Sequence, residues 1–201
     1  MPRHADPDLE KRILDAAQKL WRAGGDKRLS MRVLARSART NTPAIYRRFK
    51  TREDLLRALL LRRRREFYEE LADSATLEVA FERYIDFALL QPREYELYYA
   101  HQYELLHEFR PGGPASSDEI TPGFLWGMRK CAERFGGTPH DYVSLAVAFW
   151  ALAHGTASLL IARALSDELE VELRTAARDA LAVLLRDAQA RAQIRAESTG
   201  N

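Results

Sequence analysis

Apolar residues recur at spacings of three and four along nearly the whole chain, and runs of β-branched residues are lacking. That period belongs to the α-helix, so the pattern predicts an all-α protein. Leu9, Ile13, Ala17 and Leu20 mark the apolar stripe of a first helix, which Gly24-Gly25 ends by offering left-handed C-cap geometry. Ser30 is placed to cap a short second helix reaching about Ser37, and Thr40 a third reaching about Arg47. Thr51, with Asp54 three residues on, has the form of a capping box and opens a longer fourth helix to about Leu71.

Residues 77–90 read as another amphipathic helix, followed by one that starts at Pro92 and runs through about Phe109. The Pro-Gly-Gly-Pro within 110–120 predicts a loop. Thr121-Pro122 begins a helix that Gly136-Gly137 ends, and Thr138-Pro139 begins a long one to about Leu165. The last spans about Glu168 to Ala190 and leaves a polar, frayed end. The expectation is about nine helices, with a three-helix helix-turn-helix domain over 1–55, helix 4 (about 52–71) as connector, and a helical ligand-binding and dimerisation domain over 72–201.

Charge sharpens that division. Residues 1–65 carry 19 Lys/Arg against 7 Asp/Glu, whereas residues 66–201 carry 12 against 22, a split hidden in the net charge of +2. A basic module beside an acidic remainder suggests that the former meets a polyanion, with nucleic acid the first candidate. The lone Cys131 excludes an internal disulfide and suits a reducing compartment. The N-terminus, MPRHADPDLEKR, has no apolar core of the secretory kind, so a cytoplasmic location is expected.

Val143 to Ala162 runs for 20 residues without a formal charge, about the length that spans a bilayer. Its many alanines and the polar Ser144, His154, Thr156 and Ser158 make it modestly hydrophobic, so it reads as a central helix covered within a protein assembly and not as a membrane span.

The most informative stretch is Ser30 to Leu56, SMRVLARSARTNTPAIYRRFKTREDLL. A short helix, a tight turn and a second short helix let the second lie in a major groove about 12 Å wide while the first braces it. Val33, Leu34, Ala35 and Ile45 are the expected internal core, leaving Thr40, Asn41, Thr42, Tyr46, Arg47 and Arg48 outward. Short hydroxyls and amides at a helix start suit phosphates and base edges. The run Pro43-Ala44-Ile45-Tyr46-Arg47-Arg48-Phe49-Lys50-Thr51-Arg52-Glu53-Asp54-Leu55 is similar to the turn-plus-"xxLYxxFxxKxxL" pattern of the TetR (tetracycline-repressor-like) regulators.

That resemblance implies that Thr40, Asn41, Thr42 and Pro43 face the groove. It implies phosphate contacts from Tyr46, Arg47, Arg48 and Arg52, backbone contacts from Ser30 and Arg32, and a core plug at Phe49. The family's turn carries glycine and then a small aliphatic residue where this chain has Ala38-Arg39, so a left-handed Ala38 is expected to cost about 1 kcal/mol, and Arg39 either snorkels out to solvent or joins the DNA contacts. The run Arg62 to Arg65 points around the helix axis and reads as solvated or interdomain.

In the C-terminal half, Trp150-Ala151-Leu152-Ala153-His154-Gly155 is similar to the Trp-x-x-x-His-Gly signature of one TetR subgroup. Candidate dimer-interface residues are Val143, Val147, Trp150, His154, Ser158, Leu181 and Leu184, two helices per protomer making a four-helix bundle. Candidate pocket residues are Tyr84, Phe87, Tyr98, His101, Phe124, Trp126 and Met128, an aromatic set suited to a small, largely apolar effector. No nucleophile-base pair, paired carboxylates, metal cluster or phosphate loop stands at a telling spacing, so neither an enzyme nor a cofactor is expected.

The expected function is a homodimeric regulator, released from a palindromic double-stranded DNA operator by its effector. Alternatives are a DNA-binding dimer without a sensor, and a small helical carrier or enzyme.

Overall fold

A computed structural model describes residues 6–97, 99, 122–163 and 165–199, without the side chains of 122–124 and 199. The protein is all-helical, with no strand among the described residues. The helices are α1 (Leu9–Gly24), α2 (Met31–Ser37), α3 (Thr42–Arg48), α4 (Arg52–Ala72), α5 (Leu77–Leu90), α6 (Pro122–Phe135), α7 (Val143–Ile161) and α8 (Asp167–Thr199). Residues 92–97 are helical as well, while the expected loop at 110–120 lies outside the described residues. The chain divides into two compact units, one holding residues up to Phe67 together with the stretch that begins at Gln91, the other holding 68–90 with α6 to α8.

In the first unit the apolar stripe of α1 meets α2, α3 and the start of α4. Ile13, Ala17, Leu34, Ile45, Leu55, Leu59 and Leu60 are completely buried, and Phe49 plugs the space beside them. Each large aliphatic side chain so buried contributes about 1.5–3 kcal/mol. Val33 departs from expectation: it is 41% exposed, and Leu29 in the preceding turn fills the core instead. Leu34 and Ala35 are the inward pair of α2, so their neighbour Val33 is turned away at 100° per residue.

The same unit has a second, polar centre. The Glu94 carboxylate is 1% exposed, with Arg63 Nε 3.0 Å away and Arg22 Nε also upon it. Gln18 Nε2 donates to Glu94 at 3.2 Å, and Trp21 Nε1 donates to the Arg93 carbonyl at 2.7 Å. Arg62 pairs with Asp15 at 2.6 Å and Glu66 at 2.8 Å, and Arg63 pairs with Glu66 too. Burial pushes the Glu66 carboxyl up, but the Arg62 and Arg63 hydrogen bonds outweigh it and hold the group below the usual carboxylate range. Its stabilising contribution is therefore present above the unfolded value and lost as pH falls through the folded one. The Arg62 to Arg65 run thus departs from a solvated face: Arg63 and Arg64 are buried, and for Arg63 the opposite charge comes from Glu94, which helix position alone does not reveal.

In the second unit Phe81, Tyr84, Ile85 and Ala88 of α5 are buried, and Phe81 meets Phe149 of α7 edge to face at 5.7 Å. Thr138 and Asp141 form a capping box that opens a 3-10 turn, Pro139–Tyr142, before α7 proper. Gly136 and Gly137, both at φ near +80°, end α6. Helix α8 runs to Thr199, nine residues past its expected end. Tertiary contacts hold that extension: Ala192 is buried, and Arg195 lies 5.3 Å over the Tyr142 ring while donating to its hydroxyl at 3.0 Å.

Candidate nucleic-acid interface

Helices α2 and α3 are short, so their ends carry much of their stability. Ser30 Oγ accepts the Val33 N–H at 3.3 Å and caps α2 as expected. The cap of α3 is Asn41, not Thr40: Asn41 Oδ1 accepts the Ala44 N–H at 2.9 Å. The correction is one residue, and both types cap well, so local preference alone does not choose between them. Thr51 and Asp54 exchange hydrogen bonds of 3.0 Å each, completing the capping box of α4.

The turn between α2 and α3 places the left-handed residue at Arg39, φ 52°, whereas Ala38 keeps φ −81° and is buried. This geometry lets the Thr40 N–H reach back to the Ala35 carbonyl at 2.9 Å. The expected strain therefore moves one position, to a side chain free to extend into solvent. Arg39→Gly is expected to raise stability by about 1 kcal/mol, a Tm gain of about 2–4 °C in a thermal melt. An unchanged or lower Tm contradicts the strain.

Ala44, Ile45 and Phe49 hold α3 to the core, which fixes its opposite face outward. On that face Asn41, Pro43, Tyr46 and Arg47 are exposed, while Thr40 and Thr42 are half-buried. Pro43, Tyr46 and Arg47 stand at i, i+3 and i+4 and so share one side of the helix. Ser30, Arg32 and Arg39 are exposed on α2 and the turn. Among the described residues Arg32, Arg39 and Arg47 have no acidic partner. Arg48 and Arg52 differ from these. Arg48 donates to the Asp6 carbonyl at 3.3 Å and lies 3.9 Å from Glu10, and Arg52 pairs with Asp26. On α2 and just after α3, Arg36 and Lys50 are exposed basic residues not nominated from the sequence; only an inside-outside assignment of each helix brings them to notice.

The second unit holds an apolar cavity of about 40 Å³. Of the nominated pocket residues, Tyr84 and Trp126 line it, beside Tyr68, Cys131, Phe149 and Trp150. Phe87 and Met128 are buried in the packing and not in its wall. Tyr98, His101 and the Phe124 side chain lie outside the described residues.

The same unit leaves two apolar faces uncovered. On α7, Val143, Val147, Trp150 and Leu159 are exposed and His154 and Ser158 half-buried; Trp150 and His154 stack at 5.5 Å with 9° between rings. Only 28% of the most apolar window of Pro139–Ile161 is buried, although the segment is long and apolar enough to cross a membrane. On α8 the exposed apolar residues include Leu169, Ala176, Ala180, Val183 and Ile194. Leu184 is half-buried and Leu181 is 2% exposed, occupied within the protomer beside Ala177 and Leu185. Helix α8 has apolar residues on two sides, and the sequence does not say which side is the inner one.

A capped helix-turn-helix with a basic outward face, followed in the chain by a second helical unit, is the arrangement of a DNA-binding transcriptional regulator. Residues 13–59 match the model of bacterial regulatory proteins of the tetR family, and residues 77–184 that of the tetracyclin repressor-like C-terminal domain. The chain belongs to the TetR family. Among curated proteins none matches it.

Solved structures share the fold. A protein with unknown function from Rhodococcus sp. RHA1 is 24% identical with a TM-score of 0.62, over 93% of this chain and 98% of that one. A TetR-like transcriptional regulator from the same organism is 19% identical with a TM-score of 0.54, over 94% and 99%. The multidrug binding protein EbrR, complexed with imidazole, is 22% identical with a TM-score of 0.55, over 92% and 93%.

Proposed function

We propose that this regulator is a homodimeric repressor that holds a palindromic operator through α3 and releases it when a small, largely apolar molecule occupies the second unit. The observation that carries the reading is the outward face of α3, where Pro43, Tyr46 and Arg47 stand together with the uncompensated Arg32 and Arg39 nearby in sequence on α2 and the turn. Thr40, Asn41, Thr42 and Pro43 meet base edges and phosphates in the groove. Ser30, Arg32, Arg39, Tyr46 and Arg47 hold phosphates, and Arg48 and Arg52 do so on exchanging their internal partners for the backbone. Residues 1–55 are the DNA-binding domain, residues about 52–71 connect, and residues 72–201 sense and dimerise.

A two-fold dimer sets two copies of α3 about 34 Å apart, one helical turn of DNA. The faces that α7 and α8 leave open are covered by the same faces of a second copy, through Val143, Val147, Trp150, His154, Ser158, Leu184 and the exposed Val183. A lipid cover fits less well, because Arg178 pairs with Glu82 at 2.6 Å on the neighbouring helices, and such charges are costly at membrane depth. A cytoplasmic location follows from an operator partner. The effector works by binding the DNA-free conformation more tightly. That EbrR is a multidrug binding protein supports a ligand-binding second unit.

Two measurements test this. A mobility-shift titration with the DNA upstream of the gene is expected to show affinity falling steeply with salt, log K against log[salt] sloping at about −6 or more. Light scattering is expected to give a dimer for the parent and a monomer for Val147→Glu with Val183→Glu. A salt-independent shift overturns the operator reading, and a dimeric double variant overturns the interface.

A further inference from the structure

The cavity in the second unit combines three features that restrict what it accepts. Among the described residues none that lines it is charged. A cation entering it would lose hydration without meeting a carboxylate, and an anion without meeting a guanidinium or ammonium. Cys131 in its wall stays a thiol, because burial pushes its pKa up to about 11, so it offers neither a thiolate charge nor a nucleophile at neutral pH. The indole Nε1 of Trp126, also in the wall, is buried without an acceptor among the described residues. A buried N–H left unpaired is costly, and a ligand that supplies an acceptor recovers that cost on binding.

We infer that the cavity binds an uncharged aromatic or aliphatic molecule bearing a hydrogen-bond acceptor such as a carbonyl oxygen, which accepts from the Trp126 indole N–H. This rests on the sensing role proposed above and names the ligand chemistry of that site. The present volume of about 40 Å³ holds only water-sized spheres, so the ligand enters by displacing a side chain of the wall.

The test uses the full chain and four probes of one size. These are acetophenone (neutral, with acceptor), ethylbenzene (neutral, without), benzoate (anion) and benzyltrimethylammonium (cation), each titrated calorimetrically. Acetophenone is expected to bind about tenfold more tightly than ethylbenzene, and the two ions not to bind. Trp126→Phe is expected to reduce acetophenone to the ethylbenzene level while leaving ethylbenzene unchanged.

Should that variant fail to fold, the Trp126 indole N–H resonance of the parent is read instead, shifting downfield with acetophenone and not with ethylbenzene. Binding of either ion at the acetophenone level, equal affinity for the two neutral probes, or binding of none overturns the inference. Operator release separates the two readings. A cation that frees the DNA sinks the ligand chemistry and leaves the regulator standing, whereas acetophenone bound in the cavity without effect on DNA does the reverse.

Discussion

Replacing Tyr46 and Arg47 together by alanine is expected to weaken operator binding by at least about 100-fold, with the fold and melting temperature unchanged. Both side chains point away from the core, so removing them opens no cavity. Hydrogen bonds to charged partners are worth about 1.5–3 kcal/mol each, and a two-fold dimer loses every contact twice. One phosphate contact of Arg47 lost per protomer also flattens the salt slope by about 2, a signature that misfolding does not produce. Arg48→Ala is expected to weaken binding less, because its guanidinium is already shared with Asp6 and Glu10. A double variant that shifts the operator at the parental concentration removes α3 from the interface.

Glu94→Ala is expected to have the largest effect on stability, about 3–5 kcal/mol, which a thermal melt registers as a fall of about 6–20 °C. The reason is the partner it abandons. Arg63 is 5% exposed, and without Glu94 its buried charge loses the carboxylate 3.0 Å from its Nε, while Gln18 and Arg22 each lose one of their acceptors. Replacing Arg63 and Glu94 together by Met and Leu is expected to restore much of the loss, since apolar pairs of similar volume commonly match buried ion pairs. A Glu94→Ala variant within about 1 kcal/mol of the parent shows that water reaches the cluster and screens it.

The candidate site was legible to the extent that local chemistry decides it. Ser30, Thr51 with Asp54, and the glycine pairs signal helix ends within a few residues of themselves, and the structure uses them as such. The pattern from Pro43 to Leu55 was enough to separate Ile45 and Phe49, which go inward, from Tyr46 and Arg47, which go outward. Sequence pattern and structure part where two choices are locally equal. Thr40 and Asn41 both cap well, and Ala38 and Arg39 both tolerate a turn; the closing of Thr40 N–H on Ala35 settles both choices together.

Cavity and faces were less legible. Tyr84 and Phe87 are three residues apart on one buried helix face, yet only Tyr84 borders the empty space, because a cavity is a property of what several helices fail to fill. Likewise Leu181 and Val183 are equally apolar, and only the packing of α8 against its neighbours turns the first inward and leaves the second open.

What helical periodicity, caps and charge distribution determined is the class of protein: all-α, basic at one end, with a helix-turn-helix whose outward residues are named. These are local properties, set by 3.6-residue spacing and by hydrogen bonds between near neighbours. Tertiary structure alone decided that Arg63 and Arg64 are buried, that α8 extends to Thr199, and that Trp126 presents beside an apolar cavity a donor with no acceptor among the described residues. Each of these depends on groups distant in sequence, Glu94 for Arg63 and Tyr142 for Arg195, whose encounter no local pattern encodes.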